Sequence, residues 1–97
     1  KEIIMITGAS SGMGREFAMQ IEKKYQVDEI WVIARRKERL ENLKERLQTK
    51  VRIFALDLTQ KESFEIIQEA LFQEKPRVKA LINCSGYGKL DHYENSY

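Results

Sequence analysis

Only one of the 97 residues is cysteine, Cys84, so no intrachain disulfide framework is possible and the fold must rest on apolar packing. That sparing cysteine use fits a reducing compartment, and a cytoplasmic location is expected. The one histidine, His92, sits in the polar run Asp91-His92-Tyr93-Glu94-Asn95 without ligand spacing around it, so no metal site is expected. No apolar run approaches the roughly 20 residues of a membrane span and no signal peptide is visible, which argues against a membrane partner. Neither sign of charge prevails. Seventeen Lys and Arg against fifteen Asp and Glu leave +2, too even for a nucleic-acid-binding surface. Glycine is scarce at five residues, yet Gly8, Gly12 and Gly14 fall within one short loop. What is plentiful is apolar and charged residue, 42% and 33%, the balance of one small globular domain. The opening residue is Lys1 rather than Met, and a missing or trimmed start is expected.

Strand and helix patterns alternate along the chain. Short runs rich in Ile, Val, Leu and aromatics predict strands at Glu2–Ile6, Glu29–Ala34, Val51–Ala55 and Lys79–Asn83. Between them, helical spacing places Phe17, Ala18, Ile21 and Tyr25 on one apolar face. It places Leu40, Leu43 and Leu47 on a second face, and Phe64, Ile67 and Leu71 on a third. Thr59 is the expected cap of the third helix, and Pro76 closes it. Strands separated by helices of this length imply right-handed crossovers and a parallel sheet. Trp31-Val32-Ile33-Ala34 lacks polar alternation, as a strand covered on both faces should.

Thr7-Gly8-Ala9-Ser10-Ser11-Gly12-Met13-Gly14 follows the first strand and opens the first helix. A strand, a glycine-spaced turn and a helix start together make a seat for a dinucleotide pyrophosphate. Gly8 permits the sharp strand exit, Gly12 keeps a Cβ away from the phosphate, and Gly14 lets helix and strand pack closely. The helix N-terminus supplies free N–H groups and a positive dipole end, with the Ser10 and Ser11 hydroxyls beside them. The Gly-x-x-x-Gly-x-Gly spacing is neither the Gly-x-Gly-x-x-Gly fingerprint nor a P-loop, since no Gly-Lys pair follows. Thr7 to Gly14, Met13 included, resembles the cofactor loop of the classical short-chain dehydrogenase/reductase family. That resemblance implies an α/β fold, a three-layer Rossmann-type parallel sheet with strand order 3-2-1-4 in this piece.

Arg35 and Arg36 follow the second strand, Arg35 twenty-one residues after Gly14. An acid about 20 residues beyond the glycines holds the ribose hydroxyls of NAD, whereas a guanidinium there grips a 2′-phosphate. The arginine pair therefore predicts NADP. The resemblance places Asp57 against the adenine amino group and the backbone N–H of Leu58 against the ring; Asp57 capping the next helix with Thr59 is the plain alternative. Asn83-Cys84-Ser85-Gly86 is similar to the family's Asn-Asn-Ala-Gly signature, with Cys84 and Ser85 departing from it. The resemblance gives Asn83 a bridge between strands, and it sets Asn83, Ser85 and Gly86 along the nicotinamide-side ribose. Cys84 has no His or Asp partner nearby and reads as a small buried thiol.

The family's proton donor is a Tyr four residues before a Lys. Here Tyr25 is followed four later by Glu29, Tyr87 by Asp91 and Tyr93 by Tyr97. No catalytic residue is therefore assigned. The expected reading is one partial dinucleotide-binding domain over residues 1–97, the NADP(H)-binding part of an oxidoreductase acting on a small-molecule carbonyl or alcohol. A non-catalytic module that senses dinucleotide and regulates a partner is the alternative; a downstream Tyr-x-x-x-Lys would favour the enzyme. The apolar fourth strand, left with an open edge, predicts self-association and hence a homo-oligomer.

Overall fold

A computed structural model describes residues 1–8 and 12–84. Strands and helices alternate as β1 (Glu2–Thr7), α1 (Gly12–Lys24), β2 (Glu29–Ala34), α2 (Lys37–Arg46), β3 (Lys50–Ala55), α3 (Lys61–Glu74) and β4 (Arg77–Asn83). All three strand pairings are parallel and the order is β3-β2-β1-β4. Successive residues of β1 and β2 feed opposite faces. Ile4, Ile6, Ile30 and Val32 pack with Ala18, Ile21, Leu40 and Leu43 of α1 and α2. Ile3, Met5, Trp31 and Ile33 pack with Ile67 and Ala70 of α3. Every residue of β2 is buried, which is why its sequence shows no polar alternation.

The strand expectations hold, with β1 running on to Thr7 and β3 and β4 starting earlier, at Lys50 and Arg77. Charged Arg77 and Lys79 hide the start of β4 in the sequence. β4 is an edge strand where such side chains reach solvent, and a register shift opposite Ile3/Ile4 breaks the regular pattern further. Two helix faces differ from expectation. In α1 the buried residues are Gly14, Ala18 and Ile21, while Phe17 and Tyr25 are exposed. Glycine and alanine, one helical turn apart, bring α1 close to the sheet and push the bulky Phe17 to the flank. In α3 the buried face is Ser63, Ile67 and Ala70, and Phe64 is 53% exposed. Thr59 does not cap that helix: the N-cap position is Gln60, with no side-chain hydrogen bond, and Thr59 instead bonds Asp57. The helix ends at Lys75 in the left-handed region (φ 47°), immediately before Pro76.

A charge network closes the amino edge of the sheet. Glu29 is buried yet accepts the Trp31 indole N–H at 2.8 Å and pairs with Lys1 at 3.1 Å and Lys50 at 3.4 Å. Glu74 joins it through Lys1 and Arg52. Burial alone pushes the Glu29 carboxyl up, but the Trp31 N–H, Lys1 and Lys50 outweigh it and hold the group below its ordinary 4.5. A carboxyl lowered on folding contributes stability that is full above the unfolded value and is lost as pH falls through the folded one. Urea midpoints should therefore decline from about pH 4.5 downward, and Glu29→Gln should flatten part of that decline. An unchanged acid limb in the variant would show that Glu29 does not drive it.

Candidate functional site

Parallel strands all point their carboxyl ends the same way, so four strand exits share one edge. Thr7 lies in register with Ile33 of β2 and with Asn83 of β4, and Ala34 with Ala55 of β3. One backbone bond beyond each pairing stitches the exits together. The Gly8 N–H donates to the Ile33 carbonyl (2.8 Å), the Leu56 N–H to Ala34 (2.9 Å) and the Cys84 N–H to Thr7 (2.8 Å). Gly8, Arg35, Asp57 and Cys84, remote in sequence, consequently leave the sheet side by side. The crossover helices diverge there too, α1 to one face and α3 to the other, and the crevice at such a switch point is where open α/β sheets bind ligands.

Gly8 takes φ 72°, the left-handed conformation that a Cβ disfavours, while its N–H stays bound to β2. α1 begins at Gly12 with Gly14 buried in its first turn, and no acidic side chain occupies that turn. The positive end of the α1 dipole therefore meets no acidic side chain within its own first turn. Ser10 and Ser11 lie outside the described residues, as do Ser85 and Gly86, and Met13 is described only as part of the α1 backbone. On the other side of β1 the Thr7 hydroxyl donates to Asn83 Oδ1 at 2.9 Å. This is the strand-bridging contact expected of Asn83, and it adds Thr7 to the side chains that shape the edge.

Arg35 and Arg36 are both exposed at the β2 exit. Arg36 is the N-cap residue of α2 in extended conformation (φ −101°, ψ 102°) and makes no side-chain cap. Lys37 and Arg39 follow in the first turn, against Glu38 alone. Cations there oppose the helix dipole. Neither Arg35 nor Arg36 forms an ion pair among the described residues.

Asp57 sits across from this pair at the β3 exit. Its Oδ1 accepts the Thr59 hydroxyl (2.7 Å) and the Thr59 N–H (2.9 Å). Those two bonds, the hydroxyl first, hold the carboxyl below its ordinary range; slight burial opposes them and the Arg35 charge adds to them. Asp57 is therefore an anion at neutral pH within electrostatic reach of Arg35. Cys84 is buried at the β4 exit, and burial pushes its thiol up, so it lacks the thiolate character of a nucleophile.

An open groove at the opposite edge, lined in part by Glu2, Glu22, Tyr25, Asp28 and Thr49, competes for attention. Its carboxylates are engaged within the fold. Glu22 accepts the Gln48 and Thr49 N–H groups, Asp28 the Glu2 N–H at 2.6 Å, and Glu2 faces Arg77 and Lys79. At the carboxyl edge, by contrast, Arg35 and Arg36 form no ion pair among the described residues. Among the described residues, no cluster of His, Cys, Asp and Glu could hold a metal, and no helix is long and apolar enough to cross a membrane.

A family model described as short chain dehydrogenase matches residues 2–96. Human dehydrogenase/reductase SDR family member 7 is 35% identical over 92 residues, covering 87% of this chain and 26% of that protein. Sulfoacetaldehyde reductase 2 of Chromohalobacter salexigens is 34% identical over 90 residues, covering 88% of this chain and 34% of the relative. Among solved structures, a metagenomic short-chain oxidoreductase in complex with NADP superposes with a TM-score of 0.71 at 19% identity, over 82% of this chain and 37% of that one. The chain thus spans about a quarter to a third of the length of these curated relatives.

Proposed function

The chain belongs to the short-chain dehydrogenase family, and from that premise we propose that it is the NADP(H)-binding part of an oxidoreductase that moves hydride between nicotinamide and a carbonyl or alcohol. The observation that carries this reading is the arginine pair at the β2 exit, exposed and without an ion pair among the described residues. The same fold holds NADP in the metagenomic neighbour. Gly8, Ser10, Ser11, Gly12, Met13 and Gly14 form the pyrophosphate seat, with the α1 dipole behind it. Arg35 and Arg36 bind the 2′-phosphate, Asp57 and Leu58 the adenine, and Asn83, Ser85 and Gly86 the nicotinamide-side ribose. The cofactor, when bound, supplies or accepts the hydride. These residues bind and orient; none of them supplies the proton for the developing alkoxide.

Equilibrium titration of the chain with NADPH tests the binding reading, and Gly12→Val sharpens it. A branched side chain at the mouth of α1 occupies the space into which the phosphates must come, so cofactor affinity should drop beyond detection while the circular dichroism spectrum stays native. Undiminished affinity in that variant would reduce the loop to a structural corner. A second copy of the chain is the proposed partner of the outer edge of β4, which pairs with no further strand among the described residues and exposes Val78 and Leu81. Light scattering at micromolar concentration should then exceed the 11.4 kDa of one chain.

A further inference from the structure

Ser63 is a buried polar residue, 5% exposed, on the sheet-facing side of α3. Its hydroxyl donates to the carbonyl oxygen of Asp57 at 2.6 Å, six residues upstream and at the β3 exit. The same carbonyl accepts the Gln60 N–H at 3.0 Å. Two donors therefore draw the Asp57 carbonyl towards α3, while Thr59 holds the carboxylate of the same residue.

The peptide bond is planar and trans, so the carbonyl of Asp57 and the N–H of Leu58 point in opposite directions. Fixing the first towards α3 turns the second away from it. The Leu58 N–H has no hydrogen-bond partner among the described residues. It lies next to the Asp57 carboxylate, so an acceptor and a donor stand in succession on one turn. That pair is complementary to a heteroaromatic edge with an exocyclic amino group beside an unprotonated ring nitrogen, which is the edge adenine presents.

We propose that Ser63 is a positioning residue for adenine recognition: by holding the Asp57 carbonyl against α3, it presents the Leu58 N–H to the base. This rests on the dinucleotide reading above. Without the hydroxyl the peptide is held by the longer Gln60 bond alone, in a turn open to water, and it rotates away from the orientation the base requires for part of the time. The carbonyl keeps one partner in Ser63→Ala, and alanine suits a helix, so the fold survives the change.

The test is calorimetric titration of the full 97-residue chain with adenosine 2′,5′-bisphosphate and with its inosine counterpart. Inosine carries a carbonyl in place of the amino group and a proton on the adjacent ring nitrogen, so it cannot use the Asp57–Leu58 pair. The unmodified chain should prefer the adenosine compound. Ser63→Ala should weaken the adenosine compound roughly three- to tenfold, the worth of one net hydrogen bond, and leave the inosine compound unchanged. Ser63→Thr should restore the preference, and Ser63→Cys, nearly isosteric with a poorer donor, should fall between. An unaltered adenosine-to-inosine ratio in Ser63→Ala overturns the inference, as does an equal loss for both compounds. An unmodified chain that binds both equally overturns it while sparing the arginine assignment; one that binds neither removes the dinucleotide reading itself.

Discussion

NADPH is expected to bind roughly ten- to a hundredfold more tightly than NADH, the value of one charge-assisted phosphate contact of about 1.5–3 kcal/mol. Arg35→Asp is expected to reverse the order. On the proposed reading Arg35, which leaves β2 next to the β3 exit, takes the place of the acidic residue that would receive the ribose hydroxyls. A guanidinium there meets a 2′-phosphate with paired N–H donors, and Arg36 adds a second cation. The substitution does more than delete a contact. It sets a new carboxylate near Asp57, which is already ionised and already interacts with Arg35. Two neighbouring anions repel a 2′-phosphate, whereas a 2′-hydroxyl finds an acceptor, so NADPH should lose affinity as NADH gains it. The site is exposed, so the preference of the unmodified chain should narrow as salt is raised. Fluorescence titrations of both cofactors against both proteins measure all of this, and equal affinities in the unmodified chain would end the assignment.

How far the sequence discloses this site depends on the range of each interaction. Gly8 was legible because a left-handed strand exit leaves a glycine in the sequence, and the structure gives it φ 72°. The order β3-β2-β1-β4 was legible because alternating strands and helices admit few right-handed windings, together with the family resemblance. The faces of α1 and α3 were misread because periodicity locates an apolar stripe without saying which flank meets the sheet. Phe17 and Phe64 fit the stripe by hydrophobicity, but small Gly14 and Ala18 and polar Ser63 are the residues packed inward. Ser63 and Glu29 left no readable signal. Each is a polar residue whose burial is justified by particular partners, a carbonyl six residues upstream in one case and a nearby indole with two lysines in the other. A turn makes the first contact, and Lys1 and Lys50 become neighbours of Glu29 only once the sheet exists.

The Glu29 cluster also marks where the scaffold beneath the site is most vulnerable. Trp31 is completely buried at the middle of β2, the strand that delivers Arg35 and Arg36 to the edge. Its ring lies 5.2 Å from that of Phe54, and the Arg52 guanidinium sits 4.9 Å from the Trp31 centroid and 5.0 Å from that of Phe54. Trp31→Ala removes the largest side chain of the α3-side core, for which the cavity and lost transfer energy cost about 3–5 kcal/mol. It also takes the indole donor from Glu29, leaving a buried carboxylate with Lys1 and Lys50 only. A domain of this size holds about 5–15 kcal/mol in total, so the variant should lose a large share of its stability and unfold at a markedly lower urea concentration. Trp31→Phe keeps an aromatic ring but not the N–H, and should cost about 1.5–3 kcal/mol, the range for a hydrogen bond to a charged group. Most of that smaller loss should vanish when Glu29→Met is already present, because methionine offers no oxygen to accept the N–H. Urea unfolding followed by far-ultraviolet circular dichroism measures each variant independently of the missing indole fluorescence. A Trp31→Ala protein within about 1 kcal/mol of the unmodified chain would mean that the α3-side core does not depend on this residue.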